Sequence, residues 1–504
     1  MNQRRKAPRE VELKLELDDP EQLPLLLDHG ALSRPVDGPR DHHLRAVYFD
    51  TPDQALRSKG LSLRVRESDG RRVQTLKAAD GPRGAALDRA EWEREIEDCR
   101  PDFEPLRKTP LKAILAKGDR IAPAFEVHVR RNSRVVREGA SLIEVSADLG
   151  TIGGHDRGAP FCEVELELKE GSPGDVFALA SSLAGAAHLH LSTLTKSERG
   201  YQALAEAPVR RLKAEPIRLA PNASAAEAFQ VIARSCLEHL LANDRIVRRA
   251  QDPDAVHQMR VALRRLRAAL TLFKDVVSDT RVESIKAELR WITDALGAAR
   301  DLDVYLDTVL LPARERTGPN PDLDRNVAEA QAGRDRAYGD LAAALRSPRY
   351  TRALIETAGW IEGGPWLSRG DGEPPGRAAA DLARAQLKRR WRSVRRRVKH
   401  VREMSPEERH EVRIAIKKLR YGSEFFSSLL RKPGGKRLER KALETVEALQ
   451  DSLGKLNDIA VASERHGALD EASTGEQART VDALLDHTEK TAREFAGLEP
   501  YWKA

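Results

Sequence analysis

The hydrophobic periodicity of this chain changes once, and the change divides the sequence into two parts of different structure. From Arg9 to about Glu170, apolar and charged residues alternate, as in Leu61-Ser62-Leu63-Arg64-Val65-Arg66. A period of two is typical of β-strands with one apolar face and one charged face. Turn signals such as Asp69-Gly70 and Glu138-Gly139 separate the runs. Beyond about position 222 the period becomes 3.6, which predicts helices.

The fold class predicted from this pattern is α+β with more than one domain. The strand-rich part predicts an antiparallel sheet or barrel, with one helix over Asp175–Ala187. Prolines at 208, 216 and 221 indicate a linker, and a Gly/Pro-rich interruption at 362–376 divides the helical part. The predicted boundaries are a strand domain at 1–205, a linker at 206–221 and a helical domain at 222–504, with repeats at about 222–361 and 378–504.

Composition limits the class of protein further. Of the 504 residues 40% are hydrophobic, enough to fill sizeable cores, and the formal net charge is +7. Aromatic residues make up 5% of the chain, too few for a surface that stacks single-stranded nucleic acid. The three cysteines show no metal-ligand spacing. Because the first nine residues are polar and basic and no apolar run could span a bilayer, we expect a cytoplasmic protein without a signal peptide or membrane partner.

Charges of both signs recur on single faces of the predicted strands. The positions, in chain order, are Glu10, Glu12, Lys14, Arg64, Arg66, Lys77, Glu91, Glu93, Glu163, Glu165 and Glu167. For one strand, a sheet with one solvated face is the simpler interpretation. Five such strands in one domain favour a shared charged interior, which is costly to desolvate unless a charged ligand occupies it. A polyphosphate with a divalent cation matches both signs, because Arg and Lys bind phosphate oxygens and carboxylates bind Mg²⁺ or Mn²⁺.

The helical part contains an internal repeat. The segment from His257 to Arg267 aligns with that from His410 to Arg420. Further along, Leu296-Gly297-Ala298-Ala299-Arg300-Asp301 aligns with Leu453-Gly454-Lys455-Leu456-Asn457-Asp458. Two ordered matches at similar offsets predict two related helical bundles, related by a pseudo-two-fold axis.

Each repeat carries a basic stripe led by a histidine. The first stripe is His257, Arg260, Arg264 and Arg267, and the second is His410, Arg413, Lys417 and Arg420. Positions i, i+3, i+7 and i+10 lie on one side of a helix. A face whose cations pair with neighbouring acids is one interpretation, and the histidines could equally lie in the bundle core. The recurrence of the stripe favours anion binding, and the segment 384–402 adds ten Lys or Arg without an acidic residue.

The strand-rich part resembles the CYTH family of triphosphate tunnel metalloenzymes. The motifs, in family order, are Glu10-Val11-Glu12-Leu13-Lys14, Tyr48-Phe49-Asp50-Thr51, Leu63-Arg64-Val65-Arg66, Thr75-Leu76-Lys77, Arg89-Ala90-Glu91-Trp92-Glu93, Ile143-Glu144-Val145-Ser146-Ala147-Asp148, Cys162-Glu163-Val164-Glu165-Leu166-Glu167 and Lys196-Ser197-Glu198-Arg199-Gly200-Tyr201. The resemblance covers the first 205 residues. It implies a closed antiparallel barrel whose interior binds a triphosphate and cleaves or rearranges it.

The same resemblance implies roles for individual residues. The implied metal ligands are Glu10, Glu12, Glu165 and Glu167, with Glu163 as an alternative member of the acidic triplet. The implied substrate-binding residues are Lys14, Arg64, Arg66, Glu91, Arg131, Asp148 and Lys196. Arg130 is the alternative to Arg131, because adjacent strand residues point in opposite directions. Lys77, with Tyr48, is implied to orient or deprotonate the attacking water; positioning of a metal-bound water is the alternative.

The helical part resembles the CHAD domain, over roughly Asn222 to Tyr501, through both basic stripes and both Leu-Gly segments. The resemblance implies two packed four-helix bundles with a basic surface that binds inorganic polyphosphate. Lys417 in place of Arg264, and Asn457 in place of Arg300, loosen the symmetry between the copies. An association with polyphosphate granules would follow from such binding.

The function predicted from the sequence is therefore a metal-dependent inorganic triphosphatase with a polyphosphate-binding domain. One alternative is a non-enzymatic polyphosphate scaffold, although simple anion binding needs no carboxylate cluster. Another is a CYTH enzyme acting on an organic triphosphate, as adenylyl cyclases and thiamine triphosphatases do. Nucleic-acid binding ranks low, because aromatic platforms and recognised DNA-binding motifs are absent.

Overall fold

The first part of the chain folds into one antiparallel sheet. The computed structural model describes residues 9–78, 86–118, 120–153, 158–205, 211–367, 378–430, 436–466 and 471–502. The strands within these ranges are β1 (Arg9–Leu17), β2 (Arg40–Asp50), β3 (Leu61–Ser68), β4 (Arg71–Ala78), β5 (Ala86–Ile96), β6 (Ala122–Glu138), β7 (Ser141–Gly153), β8 (Ala159–Glu170) and β9 (Leu189–Ser192). Their order in the sheet is β5-β4-β3-β2-β6-β7-β8-β1-β9. Strand β1 pairs antiparallel with β8 and β9, and also with β5 at the far end of the order.

Short helices accompany the sheet, and long helices form the rest of the chain. The helices beside the sheet are α1 (Leu23–Leu27), α2 (Ala55–Ser58), α3 (Phe103–Leu106), α4 (Lys112–Leu115), α5 (Pro173–Leu183) and α6 (Lys196–Leu204). The remaining helices are α7 (Ala225–Arg249), α8 (Pro253–Leu272), α9 (Val282–Tyr305), α10 (Leu311–Thr317), α11 (Pro321–Leu345), α12 (Pro348–Gly363), α13 (Ala379–Arg397), α14 (Pro406–Leu430), α15 (Lys436–His466) and α16 (Glu471–Gly497). We call β1–β9 with α1–α6 the strand part, and α7–α16 the helical part. This α+β division agrees with the change of periodicity.

The chain packs as two compact units whose boundaries cut through two long helices. The first unit comprises Met1–Ala214, Ala233–Arg264 and Asp279–Ser368, so it contains the sheet, most of α7, the first half of α8, and α9–α12. The second unit comprises Glu215–Ile232, Arg265–Ser278 and Arg369–Ala504, including α13–α16. Within the described ranges, every helix is either too short or too polar to cross a bilayer.

The alternation predicted for β1 has an unusual result, because both faces of this strand are buried. Leu13 and Leu15 are fully buried on one face, while Glu12 and Lys14 on the other face are 4% and 3% exposed. The apolar faces of neighbouring strands pack against short helices; Leu63 and Leu76, for example, belong to one cluster with Leu111 of the α3–α4 turn. The charged face of β1 therefore points into the interior of the strand part rather than into solvent.

Helix α6 occupies part of that interior. A capping box starts the helix, in which the Thr195 hydroxyl accepts from the Glu198 backbone N–H and the Glu198 carboxylate accepts from the Thr195 N–H. Four of its residues, Lys196, Arg199, Gly200 and Tyr201, are buried. Gly200 lies directly against the Phe125 ring, which also meets Tyr201 edge-on. Most residues of the Lys-Ser-Glu-Arg-Gly-Tyr motif are thus buried where α6 packs against the sheet.

The Gly200→Ala substitution is expected to destabilise the first unit. A Cβ at this position would lie 2.0 Å from a carbon of the Phe125 ring, so the helix or the ring must move. Overpacking of this kind costs about 1–3 kcal/mol of unfolding free energy. Thermal unfolding followed by circular dichroism measures the shift.

Gly339→Ala is the matched control, because Gly339 lies in α11 of the same unit and a Cβ there would have no heavy atom within 4 Å. That change should stabilise the helix by about 0.5–1 kcal/mol. Equal shifts for the two variants would contradict the tight fit of α6.

Candidate functional site

A cavity of ≈ 730 Å³ opens inside the strand part, and its walls are mostly charged. The predicted site residues that line it are Glu12, Lys14, Tyr48, Arg64, Arg66, Lys77, Glu91, Arg131, Glu165, Glu167 and Lys196. They come from seven strands and the start of α6, separated by up to 184 positions along the chain. The sheet therefore gathers into one space most of the residues that the motifs single out.

One wall of the cavity is a cluster of carboxylates and cations, which we call the acid–lysine cluster: Lys14, Arg131, Asp148, Glu163, Glu165 and Lys196. Strand register builds it, since Lys14 lies opposite Glu165, Arg131 opposite Asp148, and Asp148 opposite Glu163. The ammonium group of Lys196 reaches Glu163, Glu165 and Asp148 at 2.5, 2.7 and 2.8 Å. Each cation is thus shared among several carboxylates.

Arg131 and Lys14 complete the cluster. Arg131 donates two hydrogen bonds to Asp148, at 2.7 and 2.6 Å, and one to Glu165 at 2.7 Å. Lys14 contacts Glu165 directly and lies 2.7 Å from Glu12. The bidentate geometry of the Arg131–Asp148 pair is the strong form of a charge-assisted hydrogen bond.

The electrostatics of the cluster favour the charged forms of Glu165, Asp148 and Lys196. Burial opposes ionisation of Glu165, but Lys14, Lys196 and Arg131 outweigh it and hold the pKa of Glu165 well below its usual range. The pKa of Asp148 is lowered in the same way, by Lys196 and Arg131 against the effect of burial. Burial would lower the pKa of Lys196, but the carboxylates around it outweigh burial and raise this pKa well above the ordinary lysine value.

Another part of the cavity lining, which we call the arginine wall, carries Arg64 and Arg66 of β3. The pKa of Arg66 is lowered, first by the positive charge of Arg64, then by burial and by Arg131. A carboxylate oxygen of Glu93 lies 4.0 Å from the Arg66 guanidinium. A cation whose pKa is lowered by a neighbouring cation gains when an anion binds beside it. This wall is therefore suited to an anionic ligand.

The predicted catalytic residues also lie at the cavity. Lys77 of β4 is 3.2 Å from Glu91 of β5, its neighbour in strand register. Tyr48 of β2 lies opposite Arg64 and stacks on Phe125, with ring centroids 4.8 Å apart. Lys77 thus projects from the same sheet face as the arginine wall, while the Tyr48 ring is held by packing.

The remaining predicted residues are placed as follows. Arg131 belongs to the acid–lysine cluster, whereas its alternative Arg130 borders a second, more open cavity with His43 and His128. Asp148 and Glu163 are fully buried behind the cavity wall. Glu167 lies 2.8 Å from Lys169, nearer to solvent. Glu10 pairs with Arg89 in the β1–β5 register, and its side chain lies outside the described part of the structure.

Several residues at the site were not predicted from the sequence. Arg199 of α6 lies 3.3 Å from Glu163 and 3.2 Å from Glu16. Lys169 lines the cavity. The signal for Glu16 and Lys169 was available, because each continues the alternation of its strand by one more step. Arg199 carries no comparable signal, since only the packing of α6 turns it toward the carboxylates.

The residues present fit a divalent cation. Among the described residues, Asp148, Glu163 and Glu165 form a group of three whose carboxylate oxygens lie within 4.8 Å of one another. A set of oxygen donors suits hard ions such as Mg²⁺ or Mn²⁺. This group overlaps the predicted ligands at Glu163 and Glu165, and it adds Asp148, which the resemblance assigned to substrate.

The first basic stripe is half-buried and crowded with positive charge. Burial, followed by Arg300, Arg264 and Arg260, lowers the pKa of His257 to about 4. The Arg260 guanidinium donates to the Thr293 carbonyl at 3.3 Å, across Gly297 of α9, where a Cβ would lie 2.8 Å from it. The glycine of the Leu-Gly segment therefore makes room for the second residue of the stripe. Arg267, the last member, is exposed.

The second stripe repeats this arrangement on α14 with less crowding. Gly454 of α15 lies against the Arg413 guanidinium, whose nitrogens would be 3.6 Å from a Cβ there. His410 hydrogen-bonds Asn457 at 2.6 Å, and Arg420 pairs with Glu424 at 2.6 Å. Lys417 is half-buried. The contact of the second stripe residue with a glycine is thus common to both copies. The partners that offset the charge of the stripe differ between them.

Two family models match successive parts of the chain. Residues 8–201 match the CYTH domain, and residues 231–467 match the CHAD domain. The two matches together cover the sheet with α1–α6 and most of the helical part.

Individual relatives cover different shares of the chain. An inorganic triphosphatase of Haemophilus influenzae is 29% identical over 157 residues, which are 31% of this chain and 44% of that protein. An uncharacterized protein of Mycobacterium tuberculosis is 28% identical over 371 residues, 68% of each chain. The crystal structure of the CHAD domain from the plant Ricinus communis is 31% identical, with 58% of this chain and 92% of that chain covered and a TM-score of 0.43.

The two domain matches carry the motifs quoted above in their family order, and the strand and helical parts lie where those matches lie. The chain is therefore a CYTH–CHAD protein, with the CYTH domain at 8–201 and the CHAD domain at 231–467.

Proposed function

We propose that the CYTH domain hydrolyses inorganic tripolyphosphate to pyrophosphate and phosphate in the presence of Mg²⁺ or Mn²⁺, and that the CHAD domain binds inorganic polyphosphate. The observation that carries the first part is that the arginine wall and the acid–lysine cluster line the same cavity. A ligand that combines several phosphate charges with a divalent cation complements both walls. An anion alone would complement only one.

The cavity would be the interior of a closed barrel. Support comes from β1, which pairs with β8 on one side and with β5, the strand at the other end of the sheet order, on its other side. Closure of this kind removes the free sheet edges and encloses the charged faces. A tunnel with low access to water strengthens the interactions between its charges and a bound triphosphate.

The metal would bind at the carboxylates of β1, β7 and β8. Glu12 and Glu165 line the cavity, and Glu10 would join them from the same face of β1. Such an ion neutralises charge on phosphate oxygens and lowers the pKa of bound water. Because Lys14 and Lys196 already share these carboxylate oxygens, phosphates and carboxylates would compete for the same two ammonium groups.

The protein's own residues would position the substrate and the attacking water. Arg64, Arg66 and Arg131, with Lys14 and Lys196, would bind the phosphate oxygens. Lys77 projects into the same cavity and would orient the water that attacks the terminal phosphorus. The new P–O bond forms as the bridging P–O bond breaks, so that pyrophosphate leaves and the proton of the water passes to solvent or a phosphate oxygen.

Two observations favour an inorganic substrate over a nucleotide or thiamine compound. Tyr48 is the one aromatic residue among the described residues of the cavity wall, and its ring is already stacked on Phe125. An organic group would therefore find charged walls and no free stacking surface. In addition, a relative of the CYTH part is described as an inorganic triphosphatase.

Polyphosphate binding by the helical part rests on the two basic stripes. In the first stripe, His257 lies near three arginines of α8 and α9, and the buried Nε of Arg264 has no hydrogen-bond partner among the described residues. A bound polyanion would neutralise the positive charge of these arginines and accept a hydrogen bond from the Arg264 Nε. Binding of long chains would also bring the protein to polyphosphate granules.

Turnover of tripolyphosphate, ATP and thiamine triphosphate, measured side by side with Mg²⁺ or Mn²⁺, tests the substrate assignment. We expect kcat/KM for tripolyphosphate to exceed the other two values by at least about tenfold, because the walls match phosphate charges only. Higher kcat/KM for an organic triphosphate would contradict the assignment. Tight binding without release of phosphate from any of the three would favour the scaffold alternative.

Glu165→Gln should abolish most of the activity. The substitution removes a carboxylate shared by Lys14, Lys196 and Arg131, and we expect kcat/KM to fall about 100-fold or more. Phosphate release at several Mn²⁺ concentrations measures the effect. Glu126→Gln is the control, because Glu126 pairs with Arg45 on the outer face of β6. Equal losses in the two variants would argue against a site at the cluster.

Polyphosphate binding should become tighter as the pH falls. In the free protein His257 stays neutral down to about pH 4, because burial and the surrounding cations Arg300, Arg264, Arg260 and Arg211 disfavour its protonation. A bound polyanion favours the imidazolium and raises this pKa, so binding takes up a proton. The Kd at constant salt should fall at least about threefold from pH 7.5 to 5.5. If the His257→Asn variant kept the same pH dependence, this role of His257 would be wrong.

A further inference from the structure

Beyond the cavity, the charged face of β1 continues to a carboxylate that the proposed mechanism does not use. Glu16 follows Glu12 and Lys14 in the alternation, lies opposite Glu163 in the β1–β8 register, and is buried. It does not line the cavity, whereas Glu12 and Lys14 on the same face of β1 do. Glu16 is thus in a layer directly behind the predicted site.

Arginines from two parts of the protein surround Glu16. Arg199 of α6 donates to it at 3.2 Å. Three arginines of α7, the first helix of the helical part, also approach it: Arg245 at 3.7 Å, Arg248 at 4.0 Å and Arg249 at 3.4 Å. Burial alone would raise the pKa of Glu16, but Arg199, Arg245 and Arg248 lower it to about 2. The carboxylate is therefore ionised, and α7 supplies much of its compensation.

Arg245 differs from the other two arginines of α7 in its contacts. Arg248 is held by Asp244 at 2.9 Å and by Asp18 at 2.8 Å, and the side chain of Arg249 is 61% exposed. Arg245 instead donates to the Gln202 side chain at 2.7 Å, so it links Glu16 of β1 to helix α6. Helix α6 is also the element that carries Lys196 and Arg199 into the cluster.

The contacts from α7 to the cavity are continuous. Arg245 meets Glu16, Glu16 meets Arg199, and Arg199 lies 3.3 Å from Glu163. Glu163 in turn binds Lys196 at 2.5 Å, and Lys196 lines the cavity. Arg199 is therefore divided between two buried carboxylates, one on each side of it.

We propose that Arg245 of the CHAD domain is a positioning residue for the triphosphate site of the CYTH domain, acting through Glu16 and Arg199 on Glu163 and Lys196. The inference rests on the function proposed above. Without Arg245, Glu16 draws Arg199 away from Glu163. Glu163 then binds Lys196 and Lys14 more strongly, and these lysines have less positive charge to offer phosphate oxygens. The fused helical domain thereby sets the affinity of the tunnel for its substrate.

The experiment is a double-mutant cycle between Arg245 and Glu16 in the full-length protein. Arg245→Met removes the charge but keeps much of the volume, and should raise KM for tripolyphosphate about tenfold while kcat changes less than about threefold. Arg245→Lys should recover most of the loss. In a Glu16→Gln background no carboxylate competes for Arg199, so adding Arg245→Met should change KM by less than about threefold.

Arg234→Met is the matched control. Arg234 lies on the same helix in the same compact unit, and its two hydrogen bonds go to Glu362 instead of Glu16. It should leave KM unchanged even if it destabilises the fold. An equal rise in KM for Arg234→Met, or the same effect of Arg245→Met with and without Glu16, would overturn the proposal.

Binding of tripolyphosphate in EDTA, measured by calorimetry, gives a readout that needs neither turnover nor metal. The same cycle should appear in Kd, with Arg245→Met weakening binding about tenfold in the wild-type background only. If the Kd values follow this cycle but the wild-type protein hydrolyses no triphosphate, the positioning role is supported and the proposed hydrolysis is contradicted. Unchanged Kd in Arg245→Met would overturn the positioning role, whatever the activity.

Discussion

The strand part depends on the mutual neutralisation of charges that are buried together. Asp148 and Glu163 are fully buried, and Lys14 and Lys196 are 3% and 8% exposed. Removal of one partner from such a set leaves an uncompensated buried charge, which typically costs about 3–5 kcal/mol. The cluster therefore exists only when β1, β6, β7, β8 and α6 all occupy their places. Formation of the site and correct assembly of the sheet are the same event.

The distribution of charge in the cavity, rather than its amount, determines what it can bind. Carboxylates and cations alternate closely in the acid–lysine cluster, whereas the pKa of Arg66 is lowered by the positive charge of Arg64 beside it, and Glu93 lies 4.0 Å from it. A ligand gains most by adding negative charge at the arginine wall and positive charge at the carboxylates. Phosphate oxygens and a divalent cation are suited to these two positions. The same arrangement disfavours neutral or purely cationic ligands.

Sequence reasoning was most informative where structure follows from local alternation. The strands around Glu12, Arg64 and Glu165 were predicted because side chains with a period of two fall on one face, and that face proved to be interior. The choice between Arg130 and Arg131 required the register of β6 against β7. The contact of Arg245 with Glu16 joins residues 229 positions apart through the packing of α6 and α7. No periodicity within either element could indicate that contact.

The two copies of the CHAD repeat show that duplication has kept geometry more strictly than charge. In both copies a glycine lies against the second stripe residue: a Cβ at Gly297 would lie only 2.8 Å from the Arg260 guanidinium, whereas a Cβ at Gly454 would make ordinary contact with Arg413 at 3.6 Å. At the position next to the histidine, however, Arg300 of the first copy is replaced by Asn457, whose side chain hydrogen-bonds His410. The Asn457 amide forms a hydrogen bond with the His410 ring without adding charge, whereas the guanidinium of Arg300 opposes protonation of His257. The contact of a glycine with the second stripe residue is therefore common to both repeats, while the electrostatic environment of the histidine is specific to each.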